Sequence, residues 1–346
     1  MWMEYFSGFV ALIFCLASLP IVRRLAQRFG LYDAAGPLKI HQGSIPRLGG
    51  IAMFAGLLAG SMTRNLAFSR MYSLPILVFA VIWGVGLVDD IRTLGSIFRI
   101  CIQISAGSAL WFAGWRLEWF KSSPLDLAAT CLFVAFLINA MNLLDGMDGL
   151  AAGTAAIVCI GFLIISAGSG NALEIILASS LLGACIAMLF VNSPPATMFM
   201  GDSGSTLIGI VLAFLSLNWV RARGEPRSIV IPLIFLCVPI ADAILAILRR
   251  ARTPQLLFHG DRRHFYDILL DRGWTVEDVL KLSIACTAIL VLVGWLCAQG
   301  FFGAWPAGVI VVSGLAAGAY SLGSLRPDPT PVQACRKETP LGSALE

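Results

Sequence analysis

The sequence predicts an all-α integral membrane protein of about eleven transmembrane helices, with its N-terminus outside and its C-terminus cytoplasmic. Three observations carry this. Hydrophobic residues fill 58% of the 346 positions and charged residues only 13%. The mean hydropathy is +0.85. Apolar runs of bilayer-crossing length recur along the whole chain. Soluble domains hold about 25% charged residues and must cover their outside with polar groups, so a soluble globule is excluded. Disorder is excluded on the same grounds, and a net charge of +4 does not suit a strongly basic nucleic-acid binder. The expected surroundings are a lipid bilayer, with no nucleic-acid partner.

A helix needs about 20 apolar residues to cross ~30 Å of hydrocarbon. That window predicts spans at 5–22, 48–63, 74–91, 97–115, 125–143, 150–167, 173–191, 204–220, 228–248, 279–299 and 303–322. The first lacks the positive leader of a signal peptide and is followed by Arg23 and Arg24, which predicts an uncleaved helix. The second opens on Gly49-Gly50 and contains Gly56 and Gly60, small residues that let helices approach closely. The remaining nine are bounded by polar or Gly-containing loops, short except for the large one before the tenth span. Residues 1–324 read as one polytopic domain and residues 325–346, polar and Pro-rich, as a disordered cytoplasmic tail. Nine Cys, mostly inside apolar runs and without a CxxC pair, suggest neither a disulfide framework nor a zinc site.

Cations set the orientation. The loops after odd-numbered spans and the tail hold seventeen of the 24 Lys+Arg, including Arg23, Arg24, Lys39, Arg47, Arg92, Arg99, Arg262 and Arg263. The opposite loops hold Arg64, Arg70, Arg116, Lys121, Arg221, Arg223 and Arg227. The first set is therefore expected in the cytoplasm. Asp33, Asp89, Asp90, Asp145, Asp148, Asp202, Asp242, Asp261, Asp267 and Asp271 fall in or beside that same set. An acidic residue near the bilayer centre costs roughly 2.5–3.5 kcal/mol on insertion scales, so carboxylates gathering on one face point to function.

Four loops could make one site. Between Asp33 and Gly50, Lys39, His41 and Arg47 suit a phosphate or an anionic headgroup. In GLVDDIRT, the adjacent carboxylates Asp89 and Asp90 invite a divalent cation, or share one proton so that one acts as a base. In NAMNLLDGMDGL, Asn142, Asp145 and Asp148 are spaced by three, so a single turn would present them together, and Gly146 and Gly149 permit close approach of a ligand. In NSPPATMFMGDSGS, Gly and Ser ahead of a helix supply N–H groups for phosphate, and Asp202 can hold Mg2+. Carboxylates for a metal, amides for phosphate and cations beside a lipid surface are the equipment of phosphoryl transfer.

In order and spacing, KIHQGSIPRLGG, GLVDDIRTLG, NAMNLLDGMDGL and FMGDSGSTLIG resemble motifs of the polyprenyl-phosphate N-acetylhexosamine-1-phosphate transferases, glycosyltransferase family 4. The likeness covers residues 5–322. It implies an enzyme of the bacterial inner membrane that moves a sugar-1-phosphate from a UDP-sugar to undecaprenyl phosphate at the cytoplasmic face, releasing UMP. It also implies Mg2+, with Mn2+ a substitute, and is compatible with a homodimer. By motif position Asp202 is the metal ligand and Asp89 the base for the lipid phosphate, with Asp90 beside it. Asn142, Asp145 and Asp148 form the nucleotide and pyrophosphate region, and Lys39 and His41 contact phosphate.

One motif departs from the family. Where a cluster of the H-x-H-H kind is usual, the chain reads Asp261-Arg-Arg-His264-Phe-Tyr-Asp267. His264 matches the first histidine; Tyr266 and Asp267 stand where others belong. Arg262 and Arg263 can still clamp a phosphate. The departure argues against the phospho-MurNAc-pentapeptide enzyme and towards the UDP-GlcNAc:undecaprenyl-phosphate branch that starts O-antigen synthesis. It leaves open UDP-GlcNAc, UDP-GalNAc or a deoxygenated amino sugar. Two other readings compete. A secondary transporter would place its charges near the midplane in repeated halves, and a membrane prenyltransferase would carry a second Asp-rich motif that this chain lacks.

Overall fold

The computed structural model describes residues 2–33, 44–64, 73–167, 170–252 and 263–323. The chain is a helical bundle: α1 (Trp2–Arg28), α2 (Gly49–Met62), α3 (Ser73–Ile91), α4 (Ser96–Phe112), α5 (Ser123–Leu144), α6 (Leu150–Ser166), α7 (Ala172–Asn192) and α8 (Gly201–Arg223). A 3-10 turn (Pro226–Ile229) leads into α9 (Val230–Phe235), α10 (Cys237–Arg252), α11 (Phe265–Asp271), α12 (Val276–Ala298) and α13 (Ala304–Leu322). A two-residue strand, β1 (Tyr32–Asp33), pairs antiparallel with β2 (Ile45–Pro46).

Each of the eleven predicted apolar segments coincides with helix, because a hydrophobic run of that length is a local property. Six helices are long and apolar enough to cross a membrane, or seven with α9 and α10 taken as one broken span. Four others, α2, α4, α6 and α13, are apolar but shorter. At 1.5 Å per residue the 14 residues of α2 reach about 21 Å. The ninth segment is not one straight helix: α9 and α10 meet at 87°. Pro239 supplies the reason, since it has no N–H for the carbonyl of Phe235, the last residue of α9. The short α11, read from sequence only as part of a loop, is an added element.

The bundle is organised around α8, whose apolar length is buried throughout. Helices α2, α3, α5, α6 and α7 surround it, α1 lies against α2 and α7, and α12 covers α6 and α9. Close approach depends on small residues. A Cβ at Gly209 of α8 would come within 2.6 Å of Ile138 Cα on α5, so the two backbones touch where a larger residue would part them. α8 carries Asp202 in its first turn and Arg221 and Arg223 in its last. Arg221 stacks over Trp115 at 4.7 Å and Arg223 over Trp219 at 4.3 Å, as expected of aromatic and cationic anchors at a membrane boundary.

At the Asp202 end, backbone bonds join distant loops. Phe199 N–H donates to Pro46 O at 2.9 Å, Gly49 N–H to Phe199 O at 3.0 Å and Gly50 N–H to Met200 O at 2.8 Å. These bonds fasten the start of α2 to the start of α8, so the first and fourth motif loops share one place.

Candidate active site

Asp89 and Asp90, neighbours at the end of α3, face different partners. Asp89 Oδ2 accepts from Arg99 Nη1 at 2.6 Å and its Oδ1 from Leu94 N–H at 2.5 Å, which ties α3 to α4. Asp90 is 2% exposed. Its Oδ1 accepts from Asp202 N–H at 2.8 Å, and its Oδ2 from Ser203 N–H at 3.0 Å and Ser203 Oγ at 2.7 Å. It therefore caps α8 from another helix, placing negative charge at the positive end of the helix dipole. Gly201 makes room for this: its φ is +71°, and a Cβ there would lie 2.5 Å from Asp90 Oδ1. Here an expectation is corrected. The first amides of α8, expected to receive phosphate, are occupied by Asp90.

Asn142, near the end of α5, donates from Nδ2 to Asp202 Oδ1 at 2.9 Å and to Ser205 Oγ at 3.1 Å. Arg99 Nη1 lies 3.6 Å from Asp202 Oδ2, so one guanidinium spans Asp89 and Asp202. Asp145 caps α5 through its N–H to Asn142 O at 3.3 Å. The residue is half-buried, and removal from water, followed by the charges of Asp202, Asp90 and Asp148, pushes its carboxyl pKa well above the usual range. Asp148 turns towards the fourth loop, accepting from Ala196 N–H at 2.9 Å. The next residue, Gly149, donates its N–H to Asn192 Oδ1 at 3.1 Å. The spacing by three thus brings Asn142 onto Asp202 and Asp145 within range of its charge, while Asp148 secures the fourth loop.

A small cavity opens between α3, α4, α5 and α8, lined by Ile82, Val85, Gly86, Asp89, Arg99, Gln103, Asn139, Asn142, Asp202 and Thr206. Sequence reasoning assigned no role to Arg99, Gln103 or Asn139. The signal was faint: Arg99 and Gln103 are one helical turn apart on α4, as are Asn139 and Asn142 on α5. Asn139 Nδ2 donates to Gln103 Oε1 at 2.6 Å, joining the two pairs.

Lys39, His41 and Arg262 lie outside the described residues, as does the tail from 324 onward. Arg47 Nη2 donates to Asp90 O at 2.6 Å. Arg263 is half-buried and adjoins His264, whose Nδ1 lies 2.5 Å from Asp242 Oδ2 on α10. Asp267, which departs from the family pattern, holds local structure together. Its Oδ2 accepts from His264 N–H at 3.2 Å as half of a capping box for α11.

The donor set fits a hard divalent cation. Among the described residues no three His, Cys, Asp or Glu side chains close around a metal unaided. Mg2+ is commonly held by one or two carboxylates with the rest of its shell from substrate phosphates and water. Asp202 offers such oxygens, and Asp145 lies within range of the charges of Asp202, Asp90 and Asp148, which a cation would offset.

A helical membrane bundle whose carboxylates, arginine and amides meet around a polar cavity at one end defines a polytopic membrane enzyme. Residues 72–220 match glycosyl transferase family 4. The chain is 32% identical over 274 residues to a probable undecaprenyl-phosphate N-acetylglucosaminyl 1-phosphate transferase of Bacillus subtilis, covering 76% of each chain. It is 32% identical over 315 residues to a decaprenyl-phosphate N-acetylglucosaminephosphotransferase of Mycobacterium tuberculosis, covering 80% of this chain and 78% of the relative. With the undecaprenyl-phosphate alpha-N-acetylglucosaminyl 1-phosphate transferase of Escherichia coli K12 it shares 26% identity, over 84% of this chain and 83% of the relative. The protein is a member of glycosyl transferase family 4, as its motifs imply. The transporter and prenyltransferase readings fall with that membership.

Proposed function

We propose that the protein transfers an N-acetylated amino-sugar-1-phosphate from a UDP-sugar to undecaprenyl phosphate. The products are undecaprenyl-diphosphate-sugar and UMP, in the first membrane step of O-antigen or another envelope glycan. The observation that carries this is the meeting of Asp89, Arg99, Asn142, Asp145 and Asp202 at one end of the bundle, in a chain whose relatives are named for that transfer. Those names favour UDP-GlcNAc as donor. In the reaction a phosphate oxygen of the lipid becomes bonded to the sugar-bearing phosphorus, and the bond from that phosphorus to UMP breaks.

Asp202 and Asp145 would hold Mg2+, which when bound supplies charge neutralisation on the pyrophosphate. Asp89 keeps the lipid phosphate deprotonated, and Arg99, which spans Asp89 and Asp202, turns to the incoming phosphate. Asp90, buried under α8, sets the position of Asp202. Asn142, Asp148, Arg262, Arg263 and His264 serve the donor, and Lys39 and His41 serve phosphate. The proposal includes eleven crossings in a bacterial inner membrane, N-terminus outside, with the site on the cytoplasmic face. It also includes a cytoplasmic tail from residue 325 and assembly as monomer or homodimer. The test is UMP release by purified protein with undecaprenyl phosphate, Mg2+ and a panel of UDP-sugars. Turnover with UDP-GlcNAc is expected, and none on any donor would overturn the reading.

A further inference from the structure

The turn that carries Asp145 is held from outside the cavity by residues that do not line it. Asp242 of α10 is 3% exposed. Its Oδ2 meets His264 Nδ1 at 2.5 Å and its Oδ1 accepts from Phe265 N–H at 3.1 Å, so it fixes both the imidazole and the start of α11. The Tyr266 ring stacks on that imidazole, centroids 5.3 Å apart and planes 6° from parallel. Tyr266 is 4% exposed. Its hydroxyl donates to Leu143 O at 3.4 Å and occupies the space where a side chain on residue 146 would begin. Leu143 and Gly146 bracket Asp145. The Tyr266 ring, seated on Gly146 and bonded to Leu143 O, restrains the turn from both sides of Asp145.

We infer that Asp242, His264 and Tyr266 form a brace that positions the Asp145–Asp148 turn, with Tyr266 the positioning residue that sets affinity for the UDP-sugar. This rests on the transferase reading above. It also gives a reason for the family departure at Tyr266: a phenol reaches Leu143 and fits only against glycine, so Tyr266 and Gly146 act as a pair.

The experiment uses the full chain in lipid nanodiscs, with UMP release followed against UDP-GlcNAc and undecaprenyl phosphate separately. Gly146→Ala puts a methyl where the hydroxyl lies, and the KM for UDP-GlcNAc is expected to rise about tenfold while that for the lipid stays within about twofold. Tyr266→Phe alone keeps the ring but loses the bond to Leu143 O, and is expected to raise that KM by about two- to threefold. Added to Gly146→Ala it is expected to recover most of the lost affinity, since the obstructing oxygen is gone. Asp242→Ala is expected to raise the same KM by loosening α11. Equal damage to both substrates, or a double variant no better than Gly146→Ala, overturns the brace. Melting temperatures of wild type, Gly146→Ala, Tyr266→Phe and the double variant keep the two readings apart. If wild type releases no UMP the transferase reading fails, and the thermal cycle then decides the brace: additive shifts overturn it and coupled shifts uphold it.

Discussion

Asp90 on α3 accepts two backbone hydrogen bonds from the first turn of α8, from Asp202 at 2.8 Å and Ser203 at 3.0 Å. The carboxylate proposed for the metal is therefore positioned through its own main chain by a second carboxylate 112 residues earlier. Asp89 and Asp90, adjacent in the sequence, have separate places: one lines the cavity, the other is buried under the helix.

That division has a measurable consequence. Asp90→Ala leaves two amides and a hydroxyl buried without their acceptor, and is expected to lower stability by roughly 2–4 kcal/mol. Gly201→Ala, at φ +71° and against the same carboxyl, is expected to cost at least about 1 kcal/mol. Thermal unfolding in detergent checks both. A melting temperature unchanged in Asp90→Ala would contradict the capping role.

Asp202→Asn keeps a side chain able to meet Asn142 but loses the charge. Turnover should drop about 100-fold or more while the melting temperature stays close to wild type. Near wild-type UMP release from that variant would falsify its role as metal ligand.

For Asp89→Asn a collapse in rate is expected that alkaline conditions partly reverse, because the lipid phosphate then loses its proton unaided (second pKa about 6). A pH–rate profile of Asp89→Asn parallel to that of the wild type would remove Asp89 from the role of base.

Asp145 gives a pH dependence whose sign is fixed. Its folded pKa lies above the unfolded value, so the metal-free protein holds the proton more tightly than the unfolded chain. Stability without metal should therefore fall as pH rises from the ordinary carboxylate range through the raised value, with the full penalty above it. Mg2+ should reverse that loss and bind more weakly as pH drops. Asp145→Asn should flatten the metal-free curve. Melting curves across pH, with Mg2+ and with EDTA, make the comparison, and identical profiles for the two proteins would sink the idea.

What could be read from the sequence was what is local. Runs such as 173–191 and 204–220 became α7 and α8 because hydrophobic length alone specifies them, and cation placement pointed to the loops in which the carboxylates meet. The break between α9 and α10 was legible in principle from Pro239, but an apolar run conceals a bend. Asp90 as a cap, Arg99 as a bridge between Asp89 and Asp202, and Tyr266 against Gly146 were not legible. Except for Arg99 with Asp89, each depends on a contact between residues more than 100 positions apart, and an isolated Arg or Tyr carries no sign of its distant partner.

Between Asp202 and Arg221, α8 carries no charge over eighteen residues, about 27 Å of helix, close to the ~30 Å of a hydrocarbon core. The helix is thus a depth gauge. Because α8 is buried along its apolar length, sliding it by one turn would push Asp202 or Arg221 among the apolar side chains of its neighbours, away from water. On the proposed reading, the depth of Asp202 is then set from the opposite end of α8, where Arg221 rests on Trp115 and Arg223 on Trp219.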